Sequence, residues 1–241
     1  RAGGNLRRIP ASARLRGHAR LALVTRRAAT PLRLGLYSAG VLDKHGKLAD
    51  LVRARRGVLE LGCGPARRHA EAITVDALDF DGVDVVGDVF EVLAAIPDGA
   101  VDAVHSYHFL EHVEPLGGIV RELARVLSPG GLLHTVVPHF SNPYFYSDYT
   151  HRQTFGLYSF SYLADDPLFR RRVPRYQVDT GLVLEDVTLG FKAPVPFYVR
   201  YALRRAFGAL VNSTRLTQEW YEAGWTGVFP CYELDFRVRR R

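Results

Sequence analysis

The chain has 241 residues, with 32 lysines and arginines against 25 acids, a net charge of +7, and 47% hydrophobic residues. That length and composition suit one α/β domain with a sizeable core; the two cysteines, Cys63 and Cys231, give neither a disulfide framework nor a zinc spacing, which excludes a disulfide scaffold and fits a reducing, cytoplasmic setting. No apolar run reaches the length of a membrane span, and no signal peptide is evident.

Charge is unevenly spread along the chain. Residues 1–56 carry 14 basic and 2 acidic side chains, whereas residues 57–166 carry 5 basic and 16 acidic ones. Residues 1–56 read as a basic helical extension. Leu15, Ala19, Leu21 and Val24 lie among arginines in an amphipathic pattern, Pro31 interrupts it, and Leu36–Leu42 and Leu48–Val52 suggest a further helix. Such an arm could meet nucleic acid, an anionic lipid surface or a phosphorylated substrate, or lie on the chain's own acidic core. No nucleic-acid-binding module is recognisable, which disfavours the first partner.

Gly57–Gly64 is an apolar run that ends in Glu60 and passes into Gly-Cys-Gly, the pattern of a buried strand feeding a tight turn. Glycine at 62 and 64 lets the backbone approach a ligand closely. The dinucleotide fingerprint needs a third glycine at 67, where the chain has Arg67, and no phosphate-loop Gly-Lys-Ser/Thr follows. A carboxylate leading into Gly-x-Gly suits a ligand with a cationic amino-acid end. Strands follow at Ile73–Asp76, Val83–Asp88, Val101–Ser106 and Leu132–Val137. Asp76 can accept both hydrogen bonds of a ribose diol, and Asp88 can accept from an adenine amino group.

His108-Phe-Leu-Glu-His112 matches the inverted zinc-protease signature, which would place two histidines one helical turn apart with Glu111 as base. Gly118–Leu127 has helical periodicity, and Ser128-Pro-Gly-Gly131 terminates it. Residues 138–160 mix aromatics with Ser, Asn, Asp and His, as suits a pocket for a hydroxylated ring. Leu182–Lys192 and Cys231–Arg240 read as the last two strands. Between them Pro196–Val211 forms a basic amphipathic helix, which packs on its own domain or rests on a membrane surface.

The ordered set of Glu-Leu-Gly-Cys-Gly-Pro65, Val-Asp76, Val-Val-Gly-Asp88, Ser-Tyr-His-Phe-Leu-Glu-His112 and Arg121–Gly131 resembles the class I S-adenosylmethionine-dependent methyltransferases. The resemblance spans about residues 57–192 and returns near the carboxyl terminus. It implies a Rossmann-like α/β fold: a seven-stranded, mostly parallel sheet with one antiparallel strand, helices on both faces and an N-terminal helical extension. The methyltransferase domain is expected over 57–241, with a substrate-side insertion at 138–182 and a helical insertion at 193–230. The implied cofactor is S-adenosyl-L-methionine, held by Glu60, Gly62, Cys63, Gly64, Asp76, Asp88, Val89 and Ser106. Two features depart from the family: Ala66 replaces a frequent glycine, and the spacing of the first two strands leaves the usual first helix short or absent. Glycan and small-molecule methyltransferases with that compression often carry an Asp-x-Thr-His-Arg motif, matched by Asp148, Thr150, His151 and Arg152.

Methyl transfer needs an aligned nucleophile and, for an alcohol, removal of its proton. His151 and His139 are the candidate bases, with Asp148 orienting a histidine. His112, Asn142, Tyr144, Tyr146, Tyr149 and Arg152 are the candidate acceptor contacts, and no metal ligands are assigned. The expected reaction is O-methylation of a sugar, glycan intermediate or other hydroxylated small molecule. The alternatives are N- or C-methylation, a methyltransferase-like binding protein without turnover, and a zinc hydrolase built on His108, Glu111 and His112.

Overall fold

The computed structural model describes residues 40–174, 179–192 and 198–241. The amphipathic pattern at Leu15–Val24 and Pro31 lies outside them.

Eight strands form one sheet: β1 Leu42–Asp43, β2 Val58–Leu61, β3 Ile73–Asp76, β4 Val85–Val86, β5 Val101–Tyr107, β6 Leu127–Pro138, β7 Leu182–Gly190 and β8 Glu233–Arg240. Their order is β1-β4-β3-β2-β5-β6-β8-β7. β4, β3, β2, β5 and β6 pair in parallel, and β8 is antiparallel to both β6 and β7. This is the expected seven-stranded sheet plus a two-residue edge strand, β1, antiparallel to β4. Residues 40–56, grouped by their charge with the extension, therefore contribute to this sheet. Leu42, expected at the end of a helix, lies in β1, while helix α1 (Lys47–Ala54) buries Leu48 and Leu51 in the common core.

The remaining helices are α2 (Val89–Ala94), α3 (Leu116–Val126), α4 (Tyr198–Val211) and α5 (Arg215–Gly224). α3 buries Ile119, Val120, Leu123 and Val126, a stripe at helical spacing. Its polypeptide passes directly into β6 at Leu127, so Ser128–Gly131 belongs to the strand and not to a loop before it. α5 opens on a reciprocal cap between Thr214 and Thr217.

No helix joins β2 to β3, as their spacing implied; residues 62–72 cross in turns. The face of the sheet beside this crossing carries polar rings. His69 stacks on His105 with ring centroids 3.8 Å apart, and its Nε2 lies 2.8 Å from the Tyr107 hydroxyl. Arg68 lies over the Tyr107 ring, and His134 reaches Asp235. Burial, followed by the neighbouring His69 and His134, lowers the His105 pKa to about 4, so this imidazole is neutral at physiological pH.

A buried carboxylate ties the crossing to the sheet edge. Asp84 accepts from the backbone N–H and hydroxyl of Thr74, from Arg67 at 2.6 Å and from Lys47 at 2.8 Å. Burial alone would raise its pKa; the Lys47 and Thr74 donors and the Arg67 charge outweigh that and hold it below the ordinary carboxylate value. A depressed native pKa gives stability that is present above the unfolded-state pKa and lost as pH falls through the native one. Asp84→Asn is therefore expected to lower the unfolding free energy at pH 7 by about 2 kcal/mol. It is also expected to flatten the loss of stability below about pH 4 in acid denaturant titrations; an unchanged acid limb would contradict this role.

Candidate cofactor and acceptor site

A cavity of about 290 Å³ opens at the carboxyl ends of β2, β3 and β4. Open α/β sheets bind ligands at this edge, and the size is at the lower end for a small-molecule site. Gly62, Asp76, Asp88, Val89, Phe90, Phe109 and His112 are among the residues lining it.

The turn after β2 requires glycine. Gly62 has φ +64°, and a Cβ there would sit 2.5 Å from Cδ2 of Phe109. Gly64 has φ +57°, and its N–H donates to Asp76 Oδ2 at 2.8 Å. The other Asp76 oxygen accepts from Leu78 N. Asp88 caps α2 by accepting from the N–H groups of Phe90 and Glu91, all through Oδ1.

Four residues assigned to the cofactor from sequence do not line the cavity. Glu60 is 1% exposed, and its carboxylate accepts from the backbone N–H groups of Arg68 and His69; it anchors the helix-less crossing. Ser106 is buried and bonded to Thr135, so its hydroxyl is used within the sheet. Cys63 and Gly64 form the turn beside the cavity. Burial, with Asp76 and Glu60 nearby, pushes the Cys63 thiol up to about 11, so it stays protonated.

The substrate-side segment folds back onto the cavity's rim. The Glu111 carbonyl accepts from the N–H groups of Arg152 at 2.7 Å and Gln153 at 3.0 Å. This docks the loop on the single 3-10 turn Leu110–His112 and brings His112 and His151 together, with ring centroids 4.8 Å apart. Asp148 Oδ1 accepts from both the N–H and hydroxyl of Thr150, and the Thr150 oxygen lies 3.0 Å from His112 Nδ1. The Thr150 donors, with the charges of His151 and His112, hold the Asp148 carboxyl below its usual pKa. His151 Nδ1 lies 2.8 Å from the Phe145 carbonyl, so it carries the proton and leaves Nε2 as the basic nitrogen, 3.7 Å from Asp148 Oδ2.

Other candidates have structural employment. His139 is fully buried; Nδ1 accepts from Ser141 N, and Nε2 faces Glu222 Oε2 on α5 at 3.0 Å. With both nitrogens engaged it has no lone pair for a substrate proton, which removes it as a base. Asn142 donates to the Tyr232 carbonyl and accepts from Tyr144 N, fixing the loop. Tyr144, Tyr146 and Tyr149 are exposed, Tyr149 by 91%, and Arg152 is exposed as well.

The His108-x-x-Glu111-His112 arrangement of a zinc protease is absent, because no helix places its histidines side by side. His108 has a left-handed backbone (φ +53°) that sets its ring between Glu111 and Glu233, 3.4 Å from each. These two carboxylates, Glu111 first, raise its pKa to about 9 against the opposing effect of burial. Glu233 also pairs with Lys192. Sequence reasoning missed Glu233, Lys192 and Glu222, whose partners lie far away in the chain.

Residues 59–135 match the family described as "Methyltransferase domain". No curated protein sequence matches the chain. Among solved structures, a SAM-dependent methyltransferase from Archaeoglobus fulgidus has 17% identity and a TM-score of 0.50, covering 80% of this chain and 90% of that one. A putative sarcosine dimethylglycine methyltransferase from Galdieria sulphuraria has 16% identity and a TM-score of 0.45, covering 81% and 82%. The glycine turn, the acids on successive strands and the cavity they border occur within the matched segment and in the sheet order described above: residues 59–135 match a methyltransferase domain, set in a fold that the chain shares with S-adenosylmethionine-dependent methyltransferases.

Proposed function

We propose that the enzyme methylates a hydroxyl oxygen of a sugar, a glycan intermediate or another small hydroxylated molecule. The observation that carries this reading is the docking of the 138–160 loop against the cavity rim, which sets the His151 ring next to His112, a cavity-lining residue.

The residues present fit S-adenosylmethionine. Gly62 leaves the turn open where a side chain would meet Phe109, Asp76 offers a carboxylate to the ribose, and Asp88, Val89 and Phe90 form an edge for the adenine. When bound, the cofactor supplies a methyl group on a positively charged sulfur, already activated for transfer. The protein's remaining tasks are alignment, exclusion of water and handling of one proton. His112 stands between the cavity and the loop. His151, whose Nδ1 proton is fixed on the Phe145 carbonyl, presents Nε2 to an acceptor hydroxyl. An acceptor hydroxyl held there would give up its proton to that nitrogen on being methylated.

Asp76→Ala is expected to weaken S-adenosylhomocysteine binding by about 1.5–3 kcal/mol, because a ribose diol loses its charged acceptor. Unchanged affinity in a calorimetric titration would displace the ribose from Asp76. A transfer assay with methyl-labelled cofactor, screened over sugars, polyols, phenols and amines, tests the acceptor class. Label is expected on a hydroxyl oxygen, with His151→Ala lowering turnover far more than cofactor affinity. Label on nitrogen or carbon alone would overturn the O-methylation reading.

A further inference from the structure

Glu111 is fully buried, yet neither of its carboxylate oxygens receives a hydrogen bond among the described residues. An ionised carboxylate in that position is costly unless a cation or donor faces it. His108 is the ion-pair partner of Oε1 at 3.4 Å, without a hydrogen bond of proper geometry, and Oε2 is left without a donor among the described residues. On the loop side, one donor atom each from Glu111, His112 and His151 lie within 4.8 Å of one another.

The bonds around the two imidazoles set their tautomers for coordination. The Thr150 hydroxyl proton is committed to Asp148 at 2.6 Å, so the Thr150 oxygen can only accept, and His112 Nδ1 is the donor. His151 Nδ1 donates to the Phe145 carbonyl. Each ring therefore keeps its unprotonated lone pair on Nε2. Metal-binding histidines are oriented in this way by an oxygen acceptor on the opposite nitrogen. Two imidazoles and one carboxylate suit a divalent first-row transition ion, and three protein ligands leave positions open for a substrate.

We propose that Glu111, His112 and His151 bind one divalent transition-metal ion at the rim of the cofactor cavity. The set differs from the linear motif, because it drops His108 and recruits His151 from the loop. With the ion bound, His151 Nε2 is a ligand in place of the base role given above; the ion would ligate an acceptor hydroxyl beside the cavity and lower its pKa, so that the proton leaves to solvent. A vicinal diol, as in a sugar, could fill two open positions. This refinement of the acceptor site rests on the O-methylation reading; ion binding itself does not.

The test uses the full, tag-free chain, dialysed against chelator and titrated with Co²⁺ and then Zn²⁺, without cofactor or acceptor. One equivalent is expected to bind, with a visible cobalt spectrum that Zn²⁺ abolishes. His151→Ala and Glu111→Gln are each expected to weaken binding at least about tenfold, and His151→Asp, which keeps a ligand atom, to restore part of it. Cooperative thermal unfolding shows that each variant is folded. Absence of stoichiometric binding, or affinity indifferent to both His151→Ala and Glu111→Gln, would overturn the site. If a hydroxyl is methylated and no ion binds, the metal proposal alone falls. If the ion binds by these residues and only amines or carbon accept methyl, the site stands and the O-methylation reading falls.

Discussion

The buried carboxylate of Glu60 is the interaction on which the cofactor edge depends. The strand that carries it must turn back to β3 without a helix, and a helix is the usual means of satisfying the backbone of such a crossing. Glu60 takes over part of that task by accepting from the N–H groups of Arg68 and His69. With the far end of the crossing held, Gly62 and Gly64 can take left-handed conformations, and Gly64 can reach Asp76. A single charged acceptor thus links a shortened connection to the shape of the cavity. The imidazole and phenol rings of His69, His105 and Tyr107 gather on the sheet beside that crossing.

The acceptor side rests on a different constraint. A loop as polar as 138–160 must satisfy its own backbone to lie against a cavity. It does so at several anchors: the Glu111 carbonyl, the Phe145 carbonyl, the Tyr232 carbonyl and the Glu222 carboxylate. Glu222 accepts both from the His139 ring and from Leu157 N, which couples α5 to the loop. The Asp148–Thr150–His112 relay then sets the tautomer of a histidine on the cavity wall from a distance of one loop.

Local pattern made much of this legible. The parallel strands, the glycine turn, the acids at 76 and 88 and the missing first helix all follow from short segments whose period and spacing state what they are. The strands that alternate, such as β8, were as clear as the buried ones. Long-range pairing was not legible. Glu60 read as a ligand carboxylate because its backbone partners at 68 and 69 carry no side-chain signature. His139 and His151 looked alike in sequence; only Glu222, far along the chain, makes one structural. His108 and His112 invited a helix, and the positive φ of His108 together with the 3-10 turn after it sent the two rings in different directions.

The most direct test of the whole account is calorimetric titration of the full chain with S-adenosylhomocysteine. A single site with affinity in the micromolar range or tighter is the expected result. An absence of binding by well-folded protein would contradict the assignment of the β2–β4 edge as a cofactor site, and with it the reading of every residue placed around that cavity.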